Sequence, residues 1–155
     1  MIDVIFTKMT NIPLFSQYEL NFREEGAQLQ IYDPFRKLWL VDTPEERVRQ
    51  GMLLHIHHER NVASGLIAIE REIEYHQVKK RFDAVVFDGD GKPWIVCECK
   101  APSVKITQEV LYQIGRYNAV LKAPHLLVTN GVQWLFFSIN ENGSFAYVPE
   151  GWVMK

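Results

Sequence analysis

Apolar and polar positions alternate in three short stretches near the start of the chain: Ser16-Gln-Tyr-Glu-Leu-Asn-Phe22, Ala27-Gln-Leu-Gln-Ile-Tyr32 and Arg36-Lys-Leu-Trp-Leu-Val41. A period of two marks a half-buried strand, and the breaks at Glu24-Glu-Gly26 and Asp33-Pro34 are turn chemistry. Residues 1–41 therefore read as an antiparallel lead-in. The period then lengthens. Thr43 is a good N-cap, Pro44 suits the first helical position, and Glu45 and Glu46 favour the positive end of the helix dipole. Glu46 also completes a capping box with Thr43. Val48, Met52, Leu53 and Ile56 supply an apolar stripe, which predicts a helix over 44–58.

Three longer apolar runs follow, at 64–75, 78–87 and 93–100, with Asp88-Gly-Asp-Gly91 as a tight turn between the last two. They read as a three-strand meander. Thr107 caps a second helix reaching Leu121. Residues 124–129 and 132–138 form a hairpin around Asn130-Gly131, and a short strand falls near 145–148. The order helix, three strands, helix, strands predicts a single α/β domain over 1–155, with helices covering a central mixed sheet and the core spanning 42–155.

Composition narrows the class only a little. The 155 residues are 47% hydrophobic and 23% charged, ordinary for a globular protein, and the net charge of -2 is not that of a dedicated electrostatic binder of nucleic acid. The two cysteines, Cys97 and Cys99, fall on one face of one strand, so no disulfide framework is expected, and free thiols suit a reducing compartment. The opening residues, interrupted by Asp3, do not make a signal peptide, and no apolar run approaches the roughly 20 residues needed to cross a membrane. A cytoplasmic protein is expected.

The chemistry concentrates in Trp94-Ile-Val-Cys-Glu-Cys-Lys100. Side chains alternate across a strand, so Glu98 and Lys100 share one face while Ile95, Cys97 and Cys99 take the other. Burying either charge unpaired is costly, so the pair has a reason to be there. Asp83 lies on the preceding strand. Two carboxylates on neighbouring strands offer hard oxygen ligands of the kind magnesium prefers, and an adjacent ammonium can stabilise developing negative charge. This arrangement suits metal-assisted phosphodiester hydrolysis. A purely structural ion-pair cluster fits the same spacing. Lys79-Lys-Arg81, just before Asp83, is placed to steer a phosphate backbone, and Arg47, Arg49, Lys105 and Arg116 extend that patch if they share its face. Glu70, Glu72 and Glu74 alternate and read as a solvated strand face, with the alternative that one of them adds to the acidic site. His55, His57 and His58 read as a solvated or capping cluster at a helix C-terminus.

With Asp83 and Glu98-Cys99-Lys100 in the motif positions, the chain resembles the PD-(D/E)xK nuclease superfamily, although Phe82 stands where proline gives the superfamily its name. More narrowly, Thr43-Pro-Glu-Glu-Arg-Val-Arg-Gln50, Arg81-Phe-Asp-Ala-Val-Val86, Val96-Cys-Glu-Cys-Lys-Ala-Pro102, Gln113-Ile-Gly-Arg-Tyr-Asn118 and Thr129-Asn-Gly131 resemble, in that order, the N-terminal nuclease domain of type I restriction enzyme R subunits. The resemblance implies a restriction-endonuclease-like α/β/α fold and a magnesium-dependent nuclease, with manganese a substitute and DNA the substrate. Asp83 and Glu98 would bind the metal, Lys100 would assist the water, and Glu46 and Gln113 would support them. Lys80, Arg81, Arg116 and Tyr117 would contact nucleic acid. The chain contains no Gly-x-x-x-x-Gly-Lys-[Ser/Thr] phosphate loop, so no ATP is expected, and a motor or specificity function would come from separate subunits. Two rival readings stand beside the nuclease: a nuclease-derived nucleic-acid-binding module without turnover, and an interaction domain, such as a homodimer built through the N-terminal strands.

Overall fold

The computed structural model describes residues 4–152 and divides their strands between two sheets. The first is an antiparallel meander of β1 (Val4–Met9), β2 (Glu19–Glu25), β3 (Gln28–Asp33) and β4 (Leu38–Val41). Its register aligns Phe6 with Phe22, Phe22 with Ile31, and Ile31 with Leu40, which puts one apolar row across the sheet. That row packs on Leu54 of the first helix. The strand over 4–9 is absent from the sequence expectation, because Val4-Ile-Phe6 does not alternate; Ile5 stays 63% exposed and only register reveals the pairing. Of the opening residues read against a signal peptide, Met1 to Asp3 lie outside the described residues. Strand β2 begins three residues later than the alternation suggests, because Pro13–Phe15 turns as a short 3-10 helix that buries Phe15.

Helix α1 (Pro44–His58) starts where its cap dictates: the Thr43 hydroxyl accepts the Glu46 N–H at 3.0 Å. Val48, Met52, Leu53 and Ile56 are fully buried, as the stripe predicts. At its far end the His57 ring contacts the Val62 carbonyl, and the Tyr18 hydroxyl lies 3.3 Å from His55, so these two histidines tie down the end of the helix. Among the described residues they form no metal-binding group.

The second sheet runs β10-β9-β8-β7-β6-β5 and comprises β5 (Ile67–Tyr75), β6 (Val78–Phe87), β7 (Pro93–Cys99), β8 (His125–Thr129), β9 (Trp134–Ile139) and β10 (Phe145–Tyr147). Among the described residues only β7 and β8 pair in parallel, and α2 (Gln108–Leu121) makes the crossover between them, as parallel neighbours require. Ile95, Cys97 and Cys99 join the cluster containing Val48 and Met52 of α1, whereas Val96 and Val128 join that of Ile114 on α2. The two helices thus cover opposite faces, and both cysteines are core residues under α1. The Asn130 side chain holds the β8–β9 turn by accepting from Val132 and Gln133, and it donates to the Val104 carbonyl after β7. Gly131 is required there twice over: its φ is +81°, and a Cβ would strike Ile12.

One irregularity shapes the site. In β5, Ile67 and Ile69 pack on the α1 side but Ile73 on the α2 side; in β6, Phe82 packs on the α2 side and Ala84 on the α1 side. Even spacing should keep these residues on one face. The swap centres on Glu70, whose φ is +54°, and on Asp83, which stands opposite it between the pairs Ile69–Ala84 and Arg71–Phe82. Glu70 therefore leaves the solvated row expected for Glu70, Glu72 and Glu74. No described helix is long and apolar enough to cross a membrane.

Candidate functional site

The backbone ladder between β6 and β7 ends at the pair Ala84–Cys97. Beyond it, carboxylates replace carbonyls. The Asp83 N–H donates to Glu98 Oε1 at 3.3 Å, and the Cys99 N–H donates to Asp83 Oδ2 at 2.9 Å. Each acidic side chain thereby satisfies a backbone donor of the other strand, which fixes both carboxylates where the strands part. Glu98 is 3% exposed. Burial first, and then the neighbouring Asp83, push its pKa up to about 8, against the pull of Lys80 and Lys100. Lys80 Nζ stands 3.9 Å from Glu98 and 6.0 Å from the centre of the Tyr117 ring, so a line of contacts runs from β7 to α2. Lys100 is tied through its backbone N–H to the Thr129 carbonyl and makes no ion pair among the described residues. Burial also raises the thiols of Cys97 and Cys99, so neither is a thiolate at neutral pH.

On the α1 side, arginines face the acids. Arg49 pairs with Glu46, with Glu70 at 2.9 Å and with Asp83 at 3.4 Å. Arg36, from the β3–β4 turn, reaches Glu70 at 3.0 Å and Glu46 at 3.6 Å. It is held by Asp33, which is fully buried and accepts the Arg36 N–H at 3.0 Å and its Nε at 2.7 Å. Burial raises the Glu46 pKa in spite of Arg49 and Arg36. For Glu70, burial works in the same direction, but Arg49, Arg36 and Arg81 outweigh it and hold the carboxyl low. Gln50, one turn beyond Glu46, is fully buried with neither amide atom hydrogen-bonded among the described residues; Glu46 Oε1 and Arg36 Nη2 are likewise without a hydrogen-bond partner.

The structure thus gathers Asp83, Glu98, Lys100, Lys80 and Glu46 around the end of the β6–β7 ladder. Arg81 is 62% exposed and turned toward Glu70 and Glu72. Gln113 and Arg116 lie exposed on α2, with no contact to the carboxylates among the described residues. Gln108 and Tyr112, which share the four-residue spacing of Gln113 and Tyr117, hydrogen-bond to each other at 2.9 Å. Of the arginines expected to extend a phosphate patch, Arg47 instead pairs with Asp42 at 2.7 Å, and Arg49 faces the acids. Sequence reasoning missed the inward role of Arg49 and Arg36, and it did not single out Glu70 from Glu72 and Glu74. The i,i+3 spacing of Glu46 and Arg49 was a usable signal. For Arg36 there was none, since its reach depends on how the first sheet docks.

The donor set fits a hard divalent cation. Carboxylate oxygens dominate it, Glu46 Oε1 is buried without a hydrogen-bond partner, and ligand atoms of Glu45, Asp83 and Cys99 lie within 4.8 Å of one another. With the Cys99 thiol protonated, Glu45 and Asp83 are the competent members of that last group.

These features define an α/β protein with an acidic centre at the parted edge of two central strands, ringed by basic side chains. The family model of the type I restriction enzyme R protein N terminus matches residues 44–150, and the chain belongs to that family. No curated protein and no solved structure matches the chain.

Proposed function

We propose that the protein is a metal-dependent nuclease of the restriction-endonuclease-like type that hydrolyses phosphodiester bonds in DNA. The observation that carries this reading is the reciprocal bonding of Asp83 and Glu98 across the parted strands, with Lys100 one position beyond Cys99. Asp83 and Glu98 would hold magnesium, or manganese in its place, with Glu46 beside them. The bound cation would polarise the phosphoryl oxygen and lower the pKa of a water. Lys100 carries an ammonium with no ion pair among the described residues, so it is available to orient that water and to stabilise charge developing on the phosphate. Lys80 stands beside Glu98 and, with Tyr117, lines the approach from α2. Gln113 and Arg116, exposed on the same helix, and Arg81 would meet the DNA backbone. Membership of an R-protein family makes separate motor or specificity subunits the expected partners.

Cleavage of plasmid and linear DNA with magnesium or manganese tests the proposal. Lys100→Ala should lose about a hundredfold or more in rate while melting within about 0.5 kcal/mol of wild type. A pure, folded protein that cuts no form of DNA with either metal would sink it. The second reading, a binding module without turnover, has one observation in its favour: Arg49 and Arg36 already neutralise Glu46, Glu70 and Asp83. Salt-sensitive DNA binding without cleavage would decide for it.

A further inference from the structure

We propose that Arg49, backed by Arg36 from the N-terminal sheet, is the resident counter-cation of the metal-free site, and that it must withdraw from Asp83 and Glu46 before a divalent ion can take their oxygens. The proposal rests on the metal-site reading above. Arg49 Nη1 contacts both Glu70 and Asp83, while Nε and Nη2 contact the buried Glu46. One guanidinium therefore spans three carboxylates contributed by α1, β5 and β6, and it occupies oxygens of Asp83 and Glu46 on the α1 side of the site. Arg36 braces this arrangement from outside. Its Nε is fixed by the buried Asp33, its Nη1 holds Glu70, and its Nη2 faces Glu46 Oε1 at 3.6 Å with neither atom hydrogen-bonded. Arg36 lies before residue 44, outside the segment matched by the family model, so the N-terminal sheet adds a charge to the site that the family segment does not contain.

The sign of the effect follows from charge. A partly buried guanidinium held by three acids stabilises them without metal and repels an incoming dication. Removing it exposes the acids to the ion. Arg49 and Arg36 act through the carboxylates and are positioning residues.

Calorimetric titration of manganese into the full chain tests this without reference to cleavage. Arg49→Gln should bind manganese about tenfold more tightly than wild type, or better. Arg36→Gln, with no contact to Asp83, should show a smaller gain. Arg49→Lys keeps a charge that cannot span three carboxylates and should fall between wild type and Arg49→Gln. If Arg49→Gln does not fold, Arg49→Lys and Arg36→Gln decide the question. The proposal is overturned if these variants bind manganese no more tightly than wild type while Asp83→Asn loses the site. Should Asp83→Asn bind as wild type does, or no protein bind at all, the metal reading itself falls and takes this proposal with it.

Discussion

Replacing Asp83 separates its structural duty from its chemical one. The carboxylate accepts the Cys99 N–H at 2.9 Å, and Cys99 is fully buried. Asp83→Ala leaves that donor without a partner or a path to water, which costs about 1–3 kcal/mol. Two effects work the other way. Arg49 keeps Glu46 and Glu70, so it is not orphaned. Glu98 also loses the neighbouring charge that is the second cause of its raised pKa. The hydrogen-bond term should win, because the lost acceptor is the end of a sheet ladder whereas burial, the larger cause of the raised Glu98 pKa, persists in the variant. For a domain of this size, each kcal/mol moves Tm by roughly 2–4 °C. Asp83→Ala should therefore melt about 2–12 °C lower in chelator. Asp83→Asn retains an oxygen that can accept the Cys99 N–H, and its loss should stay under about 1 kcal/mol. Both variants should lose manganese affinity. In Asp83→Asn the Glu98 pKa, followed by NMR, should fall from about 8 toward the ordinary carboxylate range. The reasoning fails if Asp83→Ala melts with wild type, or if Asp83→Asn is as destabilised as Asp83→Ala.

Glu98 also predicts a pH dependence of stability in the metal-free protein. Its folded pKa of about 8 lies above the ordinary value, so between the two the unfolded chain releases a proton that the folded chain keeps. This group's contribution is fully present at low pH and declines by about 1.4 kcal/mol per pH unit until it levels near the folded pKa. Glu98→Gln should flatten that slope in urea titrations between about pH 5 and about pH 8; equal slopes in the two proteins would contradict the assignment. Gly51 gives a purely structural test. In an open helix Gly→Ala gains about 1 kcal/mol, but here a Cβ would overlap the Phe15 ring. Gly51→Ala should instead destabilise by about 1–3 kcal/mol, and a rise in Tm would show that the contact yields easily.

Much of the fold was legible because its signals are local. The Thr43 cap with Pro44, the stripe from Val48 to Ile56, and the turn at Asn130-Gly131 each act within a few residues, so spacing suffices to find them. Alternation along 94–100 likewise separated Ile95, Cys97 and Cys99 from the face that carries charge, although that second face is core too, since Val96 packs under α2. Strand β1 escaped notice because its pairing with β2, rather than its own pattern, makes it a strand.

By itself, then, the sequence determined the two helices, the central meander and the acidic and basic residues at its heart, since propensity, capping and period are properties of neighbouring residues. Only the tertiary structure decided what those residues face. Alternation assumes an even strand, and the paired distortion at Glu70 and Asp83 breaks it, carrying Glu70 out of the solvated row and into the site. The docking of the first sheet brings Arg36 to Glu46 and Glu70. The packing of α1 turns Arg49 away from any phosphate patch and onto three carboxylates. These contacts join residues far apart in the chain, and their energies depend on burial and distance, which no local pattern records.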